Sequence, residues 1–273
     1  MKKTKKPAKL LLAASAVLLL AAAVDPRLKT VTYTVHSDKV ESTVRLAVAA
    51  DLHSCRYGEN QETLLNAVRA ASPDAVLLPG DFYDDELSTD NARLFARTIA
   101  AEYPTFYVTG NHEIASKRDE EMKEELRSFG VTVLDGDAVP LITAAGDVIW
   151  IAGADDPAVG AEKAAQQRTR ARAAVPEGEF ALLLSHRPEL TEEYSALGFD
   201  LVIAGHAHGG QWRIPFLLNG LLAPNQGFFP AYAGGLYELE NTTLIVSRGL
   251  ARETTAVPRI FNRPELVIVE IQN

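Results

Sequence analysis

Five of the six histidines lie just after short apolar runs, each beside an Asp, Asn, Gly or Ser residue; they are His53, His112, His186, His206 and His208. Asp51 and Asp81 follow two apolar runs in the segments DLH and GD, and Asn111 precedes His112 in GNHE. Imidazole, carboxylate and amide groups are common ligands of divalent metal ions. The sequence therefore predicts a metal site that is assembled from five separate segments.

The first segment, Asp51-Leu52-His53, presents its first and third side chains on the same side of a strand end, so both can reach one cation. Each segment alone could equally be a turn or a cap, where Asp and Asn are common. Together the segments offer more ligands than one ion needs, which predicts two ions. Two ions about 3.5–4 Å apart can hold a bridging hydroxide and polarise a phosphoryl oxygen for in-line attack, so we expect hydrolysis of a phosphoester.

The elements that must position these segments form an alternating pattern. Apolar runs rich in Val, Ile and Leu predict buried strands at 44–50, 75–78, 105–109, 131–134, 148–152, 180–184, 201–204, 244–247 and 266–271. Helical patterns lie between several of them, at 60–71, 87–102, 117–129 and 158–174. This alternation indicates an α/β protein, in which ligands bind beyond the carboxyl ends of strands. All five segments lie at such ends.

The N-terminus differs from the rest of the chain. Five lysines precede Asp25, and an uncharged, mostly apolar run extends from Leu10 to Val24. This pattern predicts an export signal or a membrane anchor over residues 1–24, with Ala21–Ala23 as small residues suited to cleavage. The lysines favour a cytoplasmic N-terminus, so the remaining chain is expected outside the cytoplasm, associated with the membrane through residues 10–24 if these are retained.

Composition narrows the class of protein. A chain of 273 residues that is 47% hydrophobic and 23% charged, without a linker-like stretch, predicts one catalytic domain. Its formal net charge is −9, and it becomes −14 when the five lysines before Asp25, which have no acidic residue among them, are removed. Such an acidic surface makes nucleic acid an unexpected partner. Cys55 is the single cysteine, which excludes an intramolecular disulfide and a multi-thiolate zinc site.

The ordered segments DLH, GD, GNHE, SH and GHAH resemble the calcineurin-like metallophosphoesterase superfamily from Val44 onward. Neighbouring residues, in SHRPE, GHAHGGQ and SRGL, resemble its exported bacterial branch of YkuE and YaeI type. The resemblance implies a four-layer αββα sandwich of two mixed sheets flanked by helices. It would occupy residues 44–273, after a linker or leading strand at 25–43.

The resemblance also implies roles for single residues. One ion would be bound by Asp51, His53 and His208. The other would be bound by Asn111, His186 and His206, and Asp81 would bridge the two. His112 would bind no metal, and would protonate the leaving alkoxide or stabilise the transition state. Mn²⁺, Fe, Zn²⁺ and Mg²⁺ all accept these ligands, so two divalent ions of unspecified identity are expected.

Other residues have two interpretations each. Glu113 either orients His112 or is a solvent-exposed acid. Arg56 either contacts a substrate phosphate or lies on the surface. The acids Asp84, Asp85 and Glu86 either bind a further cation or begin a solvated helix, where acids are favoured. Asp155 and Asp156, after the VIWIAG run, either support the site or form a turn.

The segment from Gln211 to Tyr232 is rich in apolar residues but has no regular period. It either forms a substrate-binding or membrane-facing lip that includes Trp212, or packs as a loop on the core. The leading hypothesis for function is an exported or membrane-bound phosphodiesterase with two metal ions. The alternatives are a hydrolase of a lipid-linked pyrophosphate or nucleotide-sugar lipid, and a metal-binding envelope protein without catalysis.

Overall fold

The computed structural model describes residues 6–252 and 257–273. Of the N-terminal lysines, Lys2, Lys3 and Lys5 lie outside the described residues, and the side chains are described from residue 13 onward. The α-helices are α1 (Lys6–Ala23), α2 (Glu62–Ala71), α3 (Asp90–Ala100), α4 (Asn111–Ala115), α5 (Asp119–Ser128), α6 (Ala161–Ala174) and α7 (Thr191–Leu197). In the part of the chain that is described, no helix has the length and apolar character needed to cross a membrane.

The strands form two six-stranded mixed sheets. The first sheet has the order β1-β14-β2-β3-β4-β5, with β1 (Lys29–His36), β2 (Val44–Val48), β3 (Ala75–Pro79), β4 (Thr105–Val108), β5 (Thr132–Val133) and β14 (Glu265–Gln272). The second has the order β12-β13-β9-β8-β7-β6, with β6 (Ala138–Ile142), β7 (Val148–Gly153), β8 (Phe180–Leu184), β9 (Leu201–Ala204), β12 (Gly235–Glu238) and β13 (Thr243–Val246). A separate hairpin pairs β10 (Leu222–Ala223) with β11 (Gly227–Phe228).

Three apolar clusters separate the layers of the fold. The middle cluster lies between the sheets and includes Leu46, Leu77, Ile151 and Leu182. Another joins the first sheet to α2, α3 and α5, and the third joins the second sheet to α6 and α7. The order of layers is therefore helices, sheet, sheet, helices, which confirms the αββα sandwich expected from the sequence.

Parallel pairing brings the chemistry-bearing segments to one edge of the sandwich. Strands β2, β3 and β4 are parallel to one another in the first sheet, and β7, β8, β9 and β13 are parallel in the second. Their carboxyl ends consequently lie at a common edge of each sheet. The five predicted segments directly follow β2, β3, β4, β8 and β9, with most of GNHE in the first turn of α4.

All nine predicted strands are present, with ends shifted by a few residues. The helical pattern at 158–174 is split by Gly160 into a 3₁₀ turn at Pro157–Val159 and α6, and α4 and α7 are additional short helices. The edge strands β6 and β12 were not among the predicted strands, because their partly exposed side chains give a weaker signal than a buried run. Within the predicted 25–43 segment, β1 pairs along its whole length with β14.

Candidate metal centre

The backbone at this edge is unusual at five of the seven predicted ligands. They have positive φ angles, at Asp51 (49°), His53 (45°), Asp81 (47°), His206 (65°) and His208 (47°). A non-glycine residue in this region costs roughly 1–2 kcal/mol. Such strain is typical of functional sites, where the surrounding structure must hold it in place.

Glycines beside these residues allow a close approach of the loops. A Cβ atom on Gly205 would lie 2.5 Å from Asp51 Oδ2, and one on Gly110 would lie 2.1 Å from Asp81 Oδ1. Both distances are far shorter than a van der Waals contact. The glycines of the GHAH and GNHE segments are therefore needed for the two carboxylates to reach the centre.

One group of potential ligand atoms comprises Asp51, His53, Asp81 and His208, whose atoms all lie within 4.8 Å of one another. His53 Nε2 is 3.6 Å from Asp81 Oδ2, and His208 Nε2 is 3.9 Å from Asp51 Oδ1. All four side chains are buried. These separations are longer than direct hydrogen bonds and leave room between the atoms for a cation.

A second group comprises Asp81, His186 and His206, and it shares Asp81 with the first. His186 Nε2 lies 3.0 Å from Asp81 Oδ2, and His206 Nδ1 lies 3.2 Å from His186 Nε2. Asn111 lines the same cavity as Asp81 and His206, with a buried Oδ1 atom. The structure therefore brings all seven predicted ligands to one place, in two groups that meet at Asp81.

Three polar atoms of the centre are buried without a hydrogen-bond partner among the described residues. They are Asp51 Oδ2, His53 Nε2 and Asn111 Oδ1. Leaving such an atom unsatisfied costs roughly 1–3 kcal/mol, and more for a charged group. The two oxygen atoms can donate an electron pair to a cation, and so can His53 Nε2 when it carries no proton. The donor atoms that are present therefore fit a pair of divalent cations.

Hydrogen bonds on the far side of two imidazoles fix the direction in which they face. His186 Nδ1 donates to the carbonyl oxygen of Pro79 at 2.9 Å, and His53 Nδ1 lies 3.1 Å from Asp84 Oδ2. Because a carbonyl or carboxylate accepts the proton on Nδ1, Nε2 is the nitrogen of each ring that faces the centre and can bind a metal once it carries no proton. Asp84 thus contacts a predicted ligand rather than beginning a solvated helix. Together with His53 and His112 it forms a third group that could hold a cation, which agrees with the other interpretation given for it.

Charges in the metal-free centre shift the pKa values in opposite directions. Burial opposes the charged form of His186, but the Asp81 carboxylate outweighs it and raises the pKa of His186 to about 10. Burial likewise disfavours ionised Asp81, but the His186 charge holds the pKa of Asp81 well below its usual range. Burial and the charges of His186 and Arg187 lower the pKa of His206 to about 3. His206 is therefore neutral at pH 7, as a ligand must be.

Glu113 has neither of the positions proposed for it from the sequence. Its side chain is fully buried, and its carboxylate accepts hydrogen bonds from the backbone N–H groups of Gly110 (2.8 Å), Tyr83 (2.8 Å) and Asp81 (3.1 Å). Burial and the nearby charge of Asp81 raise the pKa of Glu113 to about 7. Glu113 thus holds together the segments that follow β3 and β4, and it is not the hydrogen-bond partner of His112.

The partner of His112 is Asp85. The Nδ1 atom of His112 lies 2.6 Å from Asp85 Oδ1, and the backbone N–H of His112 donates to Asp81 Oδ1 at 2.9 Å. Because a carboxylate only accepts, Nδ1 carries a proton and Nε2 is the nitrogen available to a ligand. The His112 ring also makes an edge contact with His53, with ring centroids 4.5 Å apart.

The centre opens into a cavity of about 230 Å³ that is lined by Asp81, Asn111, His112, Arg187, His206, His208, Pro224 and Asn225. Three of these residues, Arg187, Pro224 and Asn225, were not among the predicted site residues. Arg187 is held by the buried Asp156 carboxylate, with Nε 2.5 Å from Oδ2 and Nη2 2.9 Å from Oδ1. Its Nη1 atom contacts both Asn225 and His206. Asp156 therefore supports the site, as one of its two interpretations proposed.

Asp155 also lies beneath the site. It is buried and bonded to Thr109 (2.8 Å), Lys123 (2.9 Å) and Gln167 (3.0 Å), which joins the residue after β4 to α5 and α6.

The two residues predicted to contact the substrate, Arg56 and Trp212, lie elsewhere. Arg56 is exposed and donates to the Gly58 carbonyl, and Trp212 donates from Nε1 to the Pro258 carbonyl. Neither side chain lines the metal cavity.

Comparison with known proteins adds a family match. The sequence profile of the calcineurin-like phosphoesterase family matches residues 44–210, which include every predicted ligand and His112. An uncharacterized metallophosphoesterase of Campylobacter jejuni is 29% identical over 270 residues, which cover 94% of this chain and 67% of that protein. The match therefore extends well beyond the ligand segments.

Two other relatives are similar over most of their own length. YkuE of Bacillus subtilis, an uncharacterized metallophosphoesterase, is 26% identical over 230 residues, covering 82% of this chain and 77% of YkuE. The phosphodiesterase YaeI of Escherichia coli is 28% identical over 242 residues, covering 83% of this chain and 82% of YaeI. These are the two proteins whose branch the SHRPE and GHAHGGQ segments resemble.

Proposed function

Because this chain belongs to the calcineurin-like phosphoesterase family, we propose that it hydrolyses phosphodiesters with the aid of two divalent metal ions. The observation that carries the proposal is the pair of ligand groups that share Asp81. Asp81, the shared carboxylate, lines a cavity that is also lined by His112 and Arg187. A purely structural cluster of buried polar groups would need neither the shared carboxylate nor the open cavity beside it.

The metal ligands follow from the two groups. Asp51, His53 and His208 would bind one ion, Asn111, His186 and His206 the other, and Asp81 both. When bound, two such ions supply a strong nucleophile from water at neutral pH and polarise the phosphoryl oxygens. The protein's contribution is to hold the ligands in place, through Pro79 behind His186 and Asp84 behind His53.

His112 supplies the proton that the leaving group needs. Its Nδ1 atom is occupied by Asp85, so Nε2 donates to the departing alkoxide oxygen. The carboxylate of Asp85 keeps the ring oriented. A second role follows from position, because a hydrogen bond from His112 at the cavity also stabilises negative charge that develops in the transition state.

Arg187 binds a non-bridging phosphoryl oxygen. Its guanidinium group is fixed by Asp156 on one side, and its Nη1 atom faces the cavity beside His206. Among the described residues that line the cavity, Arg187 is the single arginine or lysine. The name of the relative YaeI, a phosphodiesterase, favours a diester substrate.

The direct test is hydrolysis of bis(p-nitrophenyl) phosphate by purified protein, loaded separately with Mn²⁺, Fe²⁺, Zn²⁺ or Mg²⁺. We expect turnover with at least one metal, loss of turnover with a chelator, and slower turnover by His112→Ala with both metals still bound. p-Nitrophenyl phosphate is the control for a monoesterase. Protein that binds two metals but hydrolyses neither ester, with His112→Ala unchanged, would instead be the non-catalytic metal-binding alternative.

We also propose that the catalytic domain functions outside the cytoplasm. The support is the lysine-rich start followed by the apolar run from Leu10 to Val24. A fusion of alkaline phosphatase, which is active only after export, to the C-terminus tests this. Activity with the full sequence, and its loss when residues 2–24 are deleted, is the expected result. Equal activity without those residues contradicts export by this segment.

A second candidate substrate is a lipid-linked pyrophosphate. It is favoured by the β10–β11 hairpin, whose turn contributes Pro224 and Asn225 to the metal cavity. The same hairpin exposes 70% of Phe228, and the next residue, Phe229, is 69% exposed. An acyl chain could cover these rings while its phosphate lies at the centre. Hydrolysis of a lipid pyrophosphate in micelles should then fall in Phe228→Ser and Phe229→Ser, with hydrolysis of a soluble diester unchanged.

A further inference from the structure

A second cavity, of about 540 Å³, lies apart from the metal centre. It is lined by a turn at residues 213–219 together with Lys29, Arg248 and Phe261, and it shares no residue with the metal cavity. The proposed reaction uses none of these side chains. Its walls combine positive charge with apolar residues, a combination that a solvent-facing loop does not need.

The positive charge is partly uncompensated. Arg248 is neutralised by the buried carboxylate of Glu265, to which its Nε donates at 2.6 Å. Arg213 donates from Nη2 to the neutral Asn219 at 2.5 Å, and its Nη1 atom is buried with no hydrogen-bond partner among the described residues. Lys29 is exposed beside them. On a chain with a net charge of −9, this cavity can accept an anion.

The rim of the cavity is apolar and strained. Phe216 is fully exposed and Leu217 is 85% exposed at the tip of a turn that two hydrogen bonds close between Ile214 and Leu218. Phe216 has a φ of 68°, a genuine outlier for a bulky residue. Solvated turns usually have Gly or Asn at such a position. Here the turn instead directs two large apolar side chains into solvent.

The N-terminal helix ends at the same cavity. The carbonyl of Ala23, the last residue of α1, accepts a hydrogen bond of 2.6 Å from the backbone N–H of Phe261, which lines the cavity. Residues Val17–Leu20 of α1 are also largely exposed apolar side chains. The apolar helix and the apolar turn are thus joined through one short contact.

We propose that the 213–219 turn and its cavity dock onto a membrane surface that contains anionic lipid. A lipid phosphate would occupy the cavity beside Lys29 and Arg213, and Phe216 and Leu217 would lie among the acyl chains. A free phosphate would satisfy the cations but would leave the exposed rim without a partner. An anionic bilayer would supply phosphate groups for the cations and acyl chains for the exposed apolar side chains. The apolar α1 helix, which ends beside the cavity, would contact the same bilayer. The inference concerns location and is independent of the proposed hydrolysis.

The test uses the full chain and one intrinsic reporter. Trp150→Phe leaves Trp212, adjacent to Arg213, as the sole tryptophan of the two in the chain. Vesicles of phosphatidylglycerol with brominated acyl chains should quench Trp212 by about half, because interfacial side chains lie about 5–10 Å into the headgroup and acyl boundary. Brominated phosphatidylcholine should quench it much less. Binding without quenching would show that α1 alone contacts the membrane, which overturns the proposal.

Matched variants separate the apolar rim from the cations. Leu217→Ser should reduce quenching, and Ile142→Ser, which removes an exposed apolar side chain from β6, should not. Arg213→Gln should weaken binding to phosphatidylglycerol about fivefold, the effect of one interfacial cation, whereas the exposed Arg118→Gln should not. Equal quenching by both lipids, unaffected by Arg213→Gln, overturns the headgroup site. Hydrolysis of bis(p-nitrophenyl) phosphate should remain unchanged in these variants, so a failure of docking is distinct from a failure of catalysis.

Discussion

The two sides of the metal centre differ in charge. The acidic side, residues 51–113, contributes five carboxylates, from Asp51, Asp81, Asp84, Asp85 and Glu113. The basic side, residues 186–259, contributes imidazoles together with the guanidinium groups of Arg187 and Arg259, the latter near His208. We expect the carboxylates of the acidic side to contribute most of the affinity for cations, alongside the three predicted ligand histidines of the basic side. We expect the guanidinium groups of the basic side to attract an anionic substrate.

The two sides also differ in how they are held. The loops of the acidic side are joined to one another by Glu113. The loops of the basic side are joined to one another by the backbone N–H of Gly205, which donates to the His186 carbonyl at 3.2 Å. They also contact the acidic side, where His186 donates to Pro79 and the backbone N–H of His206 donates to Asp51 Oδ1 at 2.8 Å. The basic side is therefore positioned by its own hydrogen bonds together with those across the centre.

The largest effect is expected at Asp81, the carboxylate common to both ligand groups. Asp81→Asn should lower kcat/KM by more than about 1000-fold, or about 4 kcal/mol, and metal content should fall below two ions per chain. Elemental analysis and steady-state kinetics measure both. Asp90→Asn, which changes an exposed carboxyl, is the control. Retention of two ions in Asp81→Asn would break the assignment of metal affinity to the acidic side.

His112→Gln sharpens the comparison, because His112 lies on the acidic side but acts on the substrate. We expect kcat to fall about 100- to 1000-fold with both metals retained, the usual range for a general acid. The loss should be larger for a diester with an alkyl leaving group than for one with p-nitrophenol, which leaves readily without a proton. An equal loss for both esters would contradict proton donation by His112.

Glu113→Ala tests whether the acidic side is internally braced. The change leaves three backbone N–H groups without their acceptor, and we expect a loss of about 3 kcal/mol in the free energy of unfolding. Urea denaturation of metal-free protein measures it. Glu121→Ala, which removes an exposed i,i+3 ion pair, should change stability by less than about 0.5 kcal/mol. Similar losses in the free energy of unfolding for the two variants would contradict the proposed role of Glu113 in holding these segments together.

The smallest effect is expected from Arg187→Lys on the basic side. Lysine keeps the charge but loses the two-point contact with Asp156, so we expect KM to rise about tenfold, equivalent to about 1.4 kcal/mol, at constant metal content. Arg56→Lys is the matched variant, since Arg56 lies outside the cavity. A larger effect from Arg56→Lys would restore the substrate contact predicted from the sequence.

The sequence was sufficient to bring the candidate centre together because its predicted ligands follow buried strands, and buried strands are the strongest signal in an α/β chain. The contacts made by neighbouring acids could not be predicted in this way. Asp84 and Asp85 are adjacent, yet one contacts His53 and the other His112, because successive side chains in a loop point in different directions. Neither interpretation of Glu113, as the partner of His112 or as a solvent-exposed acid, was correct, because its partners include backbone groups some 30 residues away.

Pairings between distant segments were equally difficult to predict. Strand β1 pairs with β14, with Lys29 opposite Glu265, and no local pattern records a partner so far along the chain. Arg187 directly follows a predicted ligand, which was a usable signal, but its contact with Asn225 depends on the turn of a hairpin of two-residue strands. Local patterns therefore predicted the strands and ligands, and tertiary contacts determined the second layer of the site.

The strained backbone at the ligands has a consequence for the evolution of this fold. Replacing His53 or Asp51 with glycine would relieve a positive φ angle and remove a buried, unpaired atom, but it would also leave Asp84 or the His206 backbone N–H without its partner. Selection for folding alone would thus favour polar side chains that tolerate a positive φ angle at these positions. Descendants that have lost catalysis are expected to drift toward asparagine there rather than toward apolar residues.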